Sequence, residues 1–454
     1  MSAPALLGEA ARAAFVGCLF LLIFAGAEAW KRRCGPPVEW TRKAVHVGGG
    51  LVVATLPWVF TSHWTVLVLG VLFGGILWGT RHLGLLGSVH GVERRSEGGL
   101  YYPLAVYLLF LVGAERPALY LISVLVLVVS DSAAALMGSE FGRRFYSVES
   151  DRRSVEGSLA FLVATFLCAY LPLRLLIGLE TAASLLIALQ LALLVTLFEA
   201  ISLRGNDNLV VPLATFYLLV KMTPRPAEWI AEQLLAQVGI TAVVAVVSWR
   251  WRCASASGTM GLSLLFYGAY ALGGAEWIVA PGLALGTLVA LHRCASLTPA
   301  NRTPGYQVAT LFYVCVVAAA LFVANNALET LLPEGVRPSV ADPLYVPFVG
   351  AVAAQTGVVI LVLLGGGRGT RSVVAAAAAC AVALGGLAVG GGGISAWGAG
   401  VNSAVVLGSM GLYESMPRTR TNASGLWRVR LQAASVAAAT LVLLPLHLWR
   451  IGAL

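Results

Sequence analysis

The sequence predicts an all-α fold, a polytopic integral membrane bundle of roughly 14–16 transmembrane helices. Three observations predict it. Of 454 residues, 59% are hydrophobic and 11% charged, with a mean hydropathy of +0.85. Apolar runs near the ~20 residues that span a bilayer recur from end to end. Basic residues gather on alternate loops.

The composition excludes a soluble domain. The apolar segments fall near residues 12–30, 44–60, 64–80, 99–113, 117–137, 156–172, 181–199, 208–222, 229–248, 258–272, 276–292, 305–325, 343–365, 372–391, 397–412 and 431–449. They are apolar on all faces and do not alternate, which excludes a β-barrel. The formal charge of +9 invites a nucleic-acid reading, but the positions argue against it. With the loops assigned alternately from an outside N-terminus, one side holds 23 of the 30 Lys and Arg residues. This is the positive-inside bias, so that side is expected to be cytoplasmic. The first span lacks a basic leader and is followed by Lys31-Arg32-Arg33, as an N-out helix would be. The seven cysteines show no CxxC or metal spacing, and no disulfide is expected.

The chain is expected to divide at the proline-marked segment Thr223-Pro-Arg-Pro226, into residues 1–225 and 226–454. The first part carries polar clusters in nearly every loop on the basic side. The second is rich in Ala, Gly and Val and poor in carboxylates there.

Four clusters stand out, all before residue 213. One is Arg42-Lys43-x-x-His46. A second runs from Glu93 through Arg95, Ser96, Gly98 and Gly99 to Tyr101-Tyr102-Pro103. A third begins at Asp131, passes Ala134, Gly138 and Gly142, and ends in Arg152-Arg153-Ser154-Val155-Glu156-Gly157. The fourth holds Glu199, Ser202, Arg204, Gly205, Asp207 and Asn208. Alternation puts all four on the cytoplasmic side, as one shared site requires. Charge is costly at membrane depth, so such clusters mark function by default.

Their chemistry fits phosphoryl transfer, which needs positioning and charge neutralisation more than covalent steps. Asp131, Glu156 and Asp207 are expected to hold Mg²⁺ through hard carboxylate oxygens. Arg152 and Arg153 would grip phosphates through their planar forks. Gly138, Gly142 and Gly157 would let backbone approach a nucleotide. Asp207 or His46 would take a proton from an alcohol. Structural readings stand beside these. Gly138-x3-Gly142 is also a small-residue packing pair, Arg42 and Lys43 could be snorkelling anchors, and the tyrosines could form an interfacial belt.

Together the motifs resemble the dolichol kinase/phytol kinase family of CTP-dependent membrane kinases. That family's nucleotide motif is matched by Asp131, Ala134, Gly138, Gly142, Ser154, Glu156 and Gly157, and its Arg-Lys-x-x-His start by Arg42, Lys43 and His46. The segments around 94–103 and 199–208 look most like the phytol and farnesol kinase branch. The likeness covers about residues 35–220. The chain departs from the pattern in having Arg152-Arg153 where lysines are usual, and in a longer stretch between Gly142 and Arg152. The resemblance implies an enzyme that moves the γ-phosphoryl of CTP, or another nucleoside triphosphate, to a membrane isoprenoid alcohol such as phytol, farnesol or dolichol. Asp131, Asp207 and His46 would be catalytic. Gly138, Gly142, Arg152, Arg153, Ser154, Glu156 and Gly157 would bind nucleotide. Arg42, Lys43, Arg95, Ser96, Tyr101, Glu199, Arg204 and Asn208 would face the alcohol.

The second half has a weaker likeness to a membrane family that includes phytyl-phosphate kinase, through Ser257-Gly258, Gln307-Val308-Ala309 and Gly392-Gly393-Ile394-Ser395. The acidic stretch expected of an active member is missing, and Ala353-Ala354-Gln355-Thr356 stands near its place. That implies a degenerate, supporting module. Two rival readings are a CTP-using cytidylyltransferase that forms a CDP-lipid, and a transporter or membrane scaffold. The first lacks its C-terminal hallmark run, and the second finds few polar residues in the second half.

Overall fold

Backbone amides in hydrocarbon must be satisfied within the segment, which favours helices. The computed structural model describes residues 3–83, 98–149, 151–294, 307–331, 342–364, 369–389, 395–416 and 426–452. It is an all-α polytopic membrane bundle. Among the described residues, each apolar segment read from the sequence overlaps a helix, and 44–60 is divided between two. Among the described residues, 10 helices are long and apolar enough to cross a membrane, and Tyr101–Gly113 and Ala275–Leu291 are shorter apolar helices. The described residues form two compact units, Met1–Leu235 and Ala236–Leu454.

The first unit is built from α1 (Ala3–Cys34), α2 (Val38–Ala54), α3 (Leu56–Val59), α4 (His63–His82), α5 (Gly98–Gly113), α6 (Pro117–Leu125), α7 (Asp131–Phe141), α8 (Val155–Leu175), α9 (Thr181–Ile201) and α10 (Asp207–Met222). A π turn, Val126–Ser130, joins α6 to α7 without a break in direction. Between α7 and α8 lies a feature absent from the sequence reading, a β-hairpin. β1 (Phe145–Val148) pairs antiparallel with β2 (Asp151–Ser154), with Phe145 opposite Ser154 and Tyr146 opposite Arg153. The longer stretch between Gly142 and Arg152 is thus used to build this hairpin.

Glycines decide how closely the helices approach. Gly49 packs under Phe20 of α1, where a Cβ would lie 3.0 Å from the ring, and Gly50 has no room for a Cβ against Val128 of the π turn. A Cβ on Gly157 would lie 2.9 Å from the Ala134 carbonyl oxygen and 3.3 Å from the Gly138 Cα. The start of α8 therefore rides directly on α7.

The remaining helix of the junction, α11 (Ala227–Trp251), carries the boundary between units. The second unit holds α12 (Ala256–Gly273), a 3-10 turn at Ala275–Ile278, α13 (Val279–Cys294), α14 (Val308–Leu331), α15 (Tyr345–Leu363), α16 (Thr370–Val389), α17 (Ala396–Ser415) and α18 (Leu426–Arg450). Its centre is α15, buried along most of its length. The Tyr345 hydroxyl donates to the Gly386 carbonyl at 2.8 Å, and Trp277 packs on Tyr345 and Phe348.

Gly50→Leu should force α2 away from the π turn, at about 1–3 kcal/mol for an overpacked core. Thermal unfolding in detergent should show a lowered midpoint, and Gly48→Ala, which meets only Ile23 at 3.4 Å, should leave it nearly unchanged.

Candidate active site

One face of α2 carries Lys43, His46 and Gly50, spaced at three and four residues. The close contact of Gly50 with Val128 turns this face toward the end of the π turn. Lys43 is buried, and its Nζ donates to Asp131 Oδ2 at 2.5 Å. It is an inward-facing counter-charge, and the snorkelling reading fails for it. His46 Nε2 lies 3.3 Å from the Leu127 carbonyl oxygen and 3.4 Å from Asp131 Oδ2. The π turn sets the register that presents both Leu127 O and Asp131 here, and such turns frequently mark functional sites.

The hairpin separates the two arginines by strand alternation. Arg152 sits over the Phe145 ring, 4.6 Å from its centroid. Arg153 turns the other way, forms an ion pair with buried Glu199, donates to the Ser202 carbonyl at 3.0 Å, and lies 3.7 Å from Asp207 Oδ2. Asp207 reaches this position through a tight turn in which Arg204 (φ 52°) and Gly205 (φ 88°) are left-handed, and Asn206 Oδ1 accepts from the Leu203 amide at 2.8 Å. Asp207 opens α10, and its field is shared with Asp131, Lys43 and Arg153.

A cavity of about 920 Å³ joins these groups. Its polar end is lined by Arg42, His46, Asp131, Arg152, Arg153, Glu199, Arg204, Asp207 and Asn208. Its other end is apolar, between α1, α2, α4 and α5. All four sequence clusters thus contribute to one place, the second through Gly98, Gly99, Tyr102 and Pro103. Arg95 and Ser96 of that cluster lie outside the described residues.

Several residues stand differently from expectation. Glu156 does not line the cavity. Its carboxylate accepts from the Arg143 amide at 3.1 Å and the Arg144 amide at 3.2 Å, tying down the chain beyond α7. Among the described residues no group of three His, Cys, Asp or Glu side chains is placed to hold a metal. Among the described residues, the carboxylates that line the cavity are Glu39, Asp131, Glu199 and Asp207, with Glu39 engaged by Arg42 and Glu199 by Arg153. Ser154 caps α8 by accepting from the Gly157 amide at 3.1 Å. Gly138 and Gly157 line the cavity as well as packing the helices, whereas Gly142 packs only against Gly138, Ser154 and Phe145. Tyr101 does not line the cavity, and Tyr102 does. The Tyr102 ring meets His46 edge-on at 5.3 Å, and its hydroxyl is buried with no hydrogen-bond partner. Helical periodicity carried this signal, because positions 99, 102, 103 and 106 share a face that excludes 101.

Two outcomes follow. Removing one partner of the buried Arg153–Glu199 pair, as in Glu199→Leu, should cost about 3–5 kcal/mol. Arg153→Met, which strips the counter-charge from both Glu199 and Asp207, should lower the thermal-unfolding midpoint further than Glu199→Leu, which leaves Arg153 beside Asp207. Glu156→Gln should lower the thermal-unfolding midpoint, since its carboxylate braces the Arg143 and Arg144 amides.

The chain is 34% identical, over 219 residues, to the phytol kinase of Synechocystis sp.. The similarity covers 91% of that protein and 47% of this chain. No protein-family model matches, and no solved structure does. Nothing in these comparisons speaks for the likeness drawn above for the second half. The relative's near-complete coverage carries the assignment: the chain belongs to the phytol kinase family.

Proposed function

We propose that the first unit is a lipid-alcohol kinase that transfers the γ-phosphoryl of CTP to an isoprenoid alcohol of the phytol and farnesol class, on the cytoplasmic side of the membrane. The observation that carries this reading is a single cavity with a charged end and an apolar end. A nucleotide needs the first and a prenyl chain the second. The basic-side asymmetry of the loops supports the cytoplasmic placement.

The donor set fits Mg²⁺ on two carboxylates, Asp131 and Asp207. Both are hard ligands facing the cavity, and Mg²⁺ takes one or two protein carboxylates beside substrate phosphates. When bound, the ion would neutralise phosphate charge. Lys43 holds Asp131, and Arg153 steadies Asp207. Arg152, Arg42 and Arg204 supply cationic surface for the phosphates. The His46 tautomer that donates through Nε2 to Leu127 O keeps Nδ1 as an acceptor for the alcohol proton. The unpartnered Tyr102 hydroxyl, next to His46, orients the alcohol or its phosphoryl acceptor oxygen.

The test is purified protein in lipid with γ-labelled CTP, Mg²⁺ and phytol, farnesol, geranylgeraniol, dolichol or diacylglycerol. Labelled isoprenyl phosphate with CDP release is the expected product. Pyrophosphate release would instead mean cytidylyl transfer. Asp131→Asn and Asp207→Asn, expressed and folded normally, should each lose at least about a hundredfold in kcat. His46→Asn should lose about 10²–10⁴-fold. Wild-type rates in either aspartate variant would remove that residue from the reaction.

A further inference from the structure

The apolar end of the cavity ends on a buried floor. The lining residues farthest from the charged end are Val16 of α1, Val53 of α2, Leu56 of α3 and Val66 of α4. Each is nearly fully buried, 2–4% exposed, in one packed cluster with Phe60, Leu109 and Phe110. One wall is aromatic, with Phe20 and Phe73 ring centroids 4.5 Å apart.

Below this floor lies a polar knot that the kinase reading leaves unexplained. Glu9 is buried at 3% exposure. Its carboxylate accepts from the Thr61 amide at 3.0 Å, the Thr61 hydroxyl at 2.8 Å, the Ser62 amide at 3.3 Å and the Thr65 hydroxyl at 2.5 Å. The knot fastens α1 to the start of α4, and Thr65 is the residue before Val66. The floor is therefore pinned by hydrogen bonds as well as packed.

Its depth can be read from the helices. Within α2, His46 to Val53 spans seven residues, about 10 Å of rise, and within α4, Val66 to Trp78 on the opposite wall spans about 18 Å. That is about one-third to three-fifths of the ~30 Å hydrocarbon thickness. It suits a chain of farnesyl to phytyl length and falls far short of a dolichyl chain.

We infer that the floor formed by Val16, Val53, Leu56 and Val66 is a chain-length ruler for the acceptor alcohol. This rests on the kinase reading and sharpens its substrate class. A tail that fills the chamber seats the hydroxyl beside His46 and Asp131. A tail too long for it holds the hydroxyl short of those groups. A tail too short forgoes apolar contact, and contact per methylene is what sets affinity in such a pocket.

The experiment measures kcat/KM for geraniol, farnesol, geranylgeraniol, phytol and dolichol with wild type, Val53→Phe and Val66→Phe, which raise the floor from two helices. Wild type should peak between farnesol and phytol and use dolichol at least about tenfold less well. Both variants should lose about tenfold or more on phytol and geranylgeraniol and stay within about threefold on geraniol. Val53→Ala, which deepens the chamber, should shift preference toward longer alcohols and serves where a phenylalanine variant does not fold. Equal use of dolichol and phytol by wild type would overturn the ruler, as would folded variants that lower every alcohol in proportion. Retention of the same alcohols, measured by native mass spectrometry, separates this from the kinase reading. If no alcohol is phosphorylated, a retention optimum that moves with Val53→Phe still upholds the ruler, and retention independent of length overturns it.

Discussion

A charge buried in the first unit must meet a counter-charge or a full set of hydrogen bonds, because desolvation is expensive. The site is arranged around that constraint. Asp131 has Lys43, and Glu199 and Asp207 have Arg153. Each pairing joins distant stretches of chain: α2 with α7, and the hairpin with the end of α9 and the start of α10. The helices are held in place partly by the pairs that the proposed reaction would draw on.

Glycine makes those pairings reachable. Gly50 brings α2 onto the π turn, and Gly138 and Gly157 bring α8 onto α7. The packing and functional readings of these glycines are not alternatives. Gly138 and Gly157 both touch the neighbouring helix and border the cavity. Close packing is what leaves the cavity its shape.

Much of the fold was legible in the sequence, since span length and hydropathy are local properties. Among the described residues, the apolar segments from 12–30 to 431–449 each overlap a helix. The site was legible as a set of clusters, because buried carboxylates such as Asp131 and Asp207 have few structural uses. Partners were not legible. Lys43 and Asp131 are 88 residues apart, and nothing in either segment names the other. Glu156 reads as a ligand by its motif, yet its carboxylate goes to the two amides left free beyond α7. The hairpin was hidden because its strands are only four residues each. Tyr102 was available from helical spacing but stood beside an equally suggestive Tyr101. The Glu9 knot involves threonines and a serine that look unremarkable until α1 lies beside them.

The π turn at Val126–Ser130 has a further meaning. A ring closed over five residues carries one more than an α turn. The stretch Pro117–Phe141 therefore crosses as one rod whose two halves are out of phase. Each residue of an α-helix advances the side-chain direction by about 100°. Were the turn to relax into regular helix by loss of a single residue, the rod would keep its length and greasiness, but Asp131 would be carried round to another azimuth. For this segment, phase and not composition is the vulnerable quantity, and hydropathy alone would not register the damage.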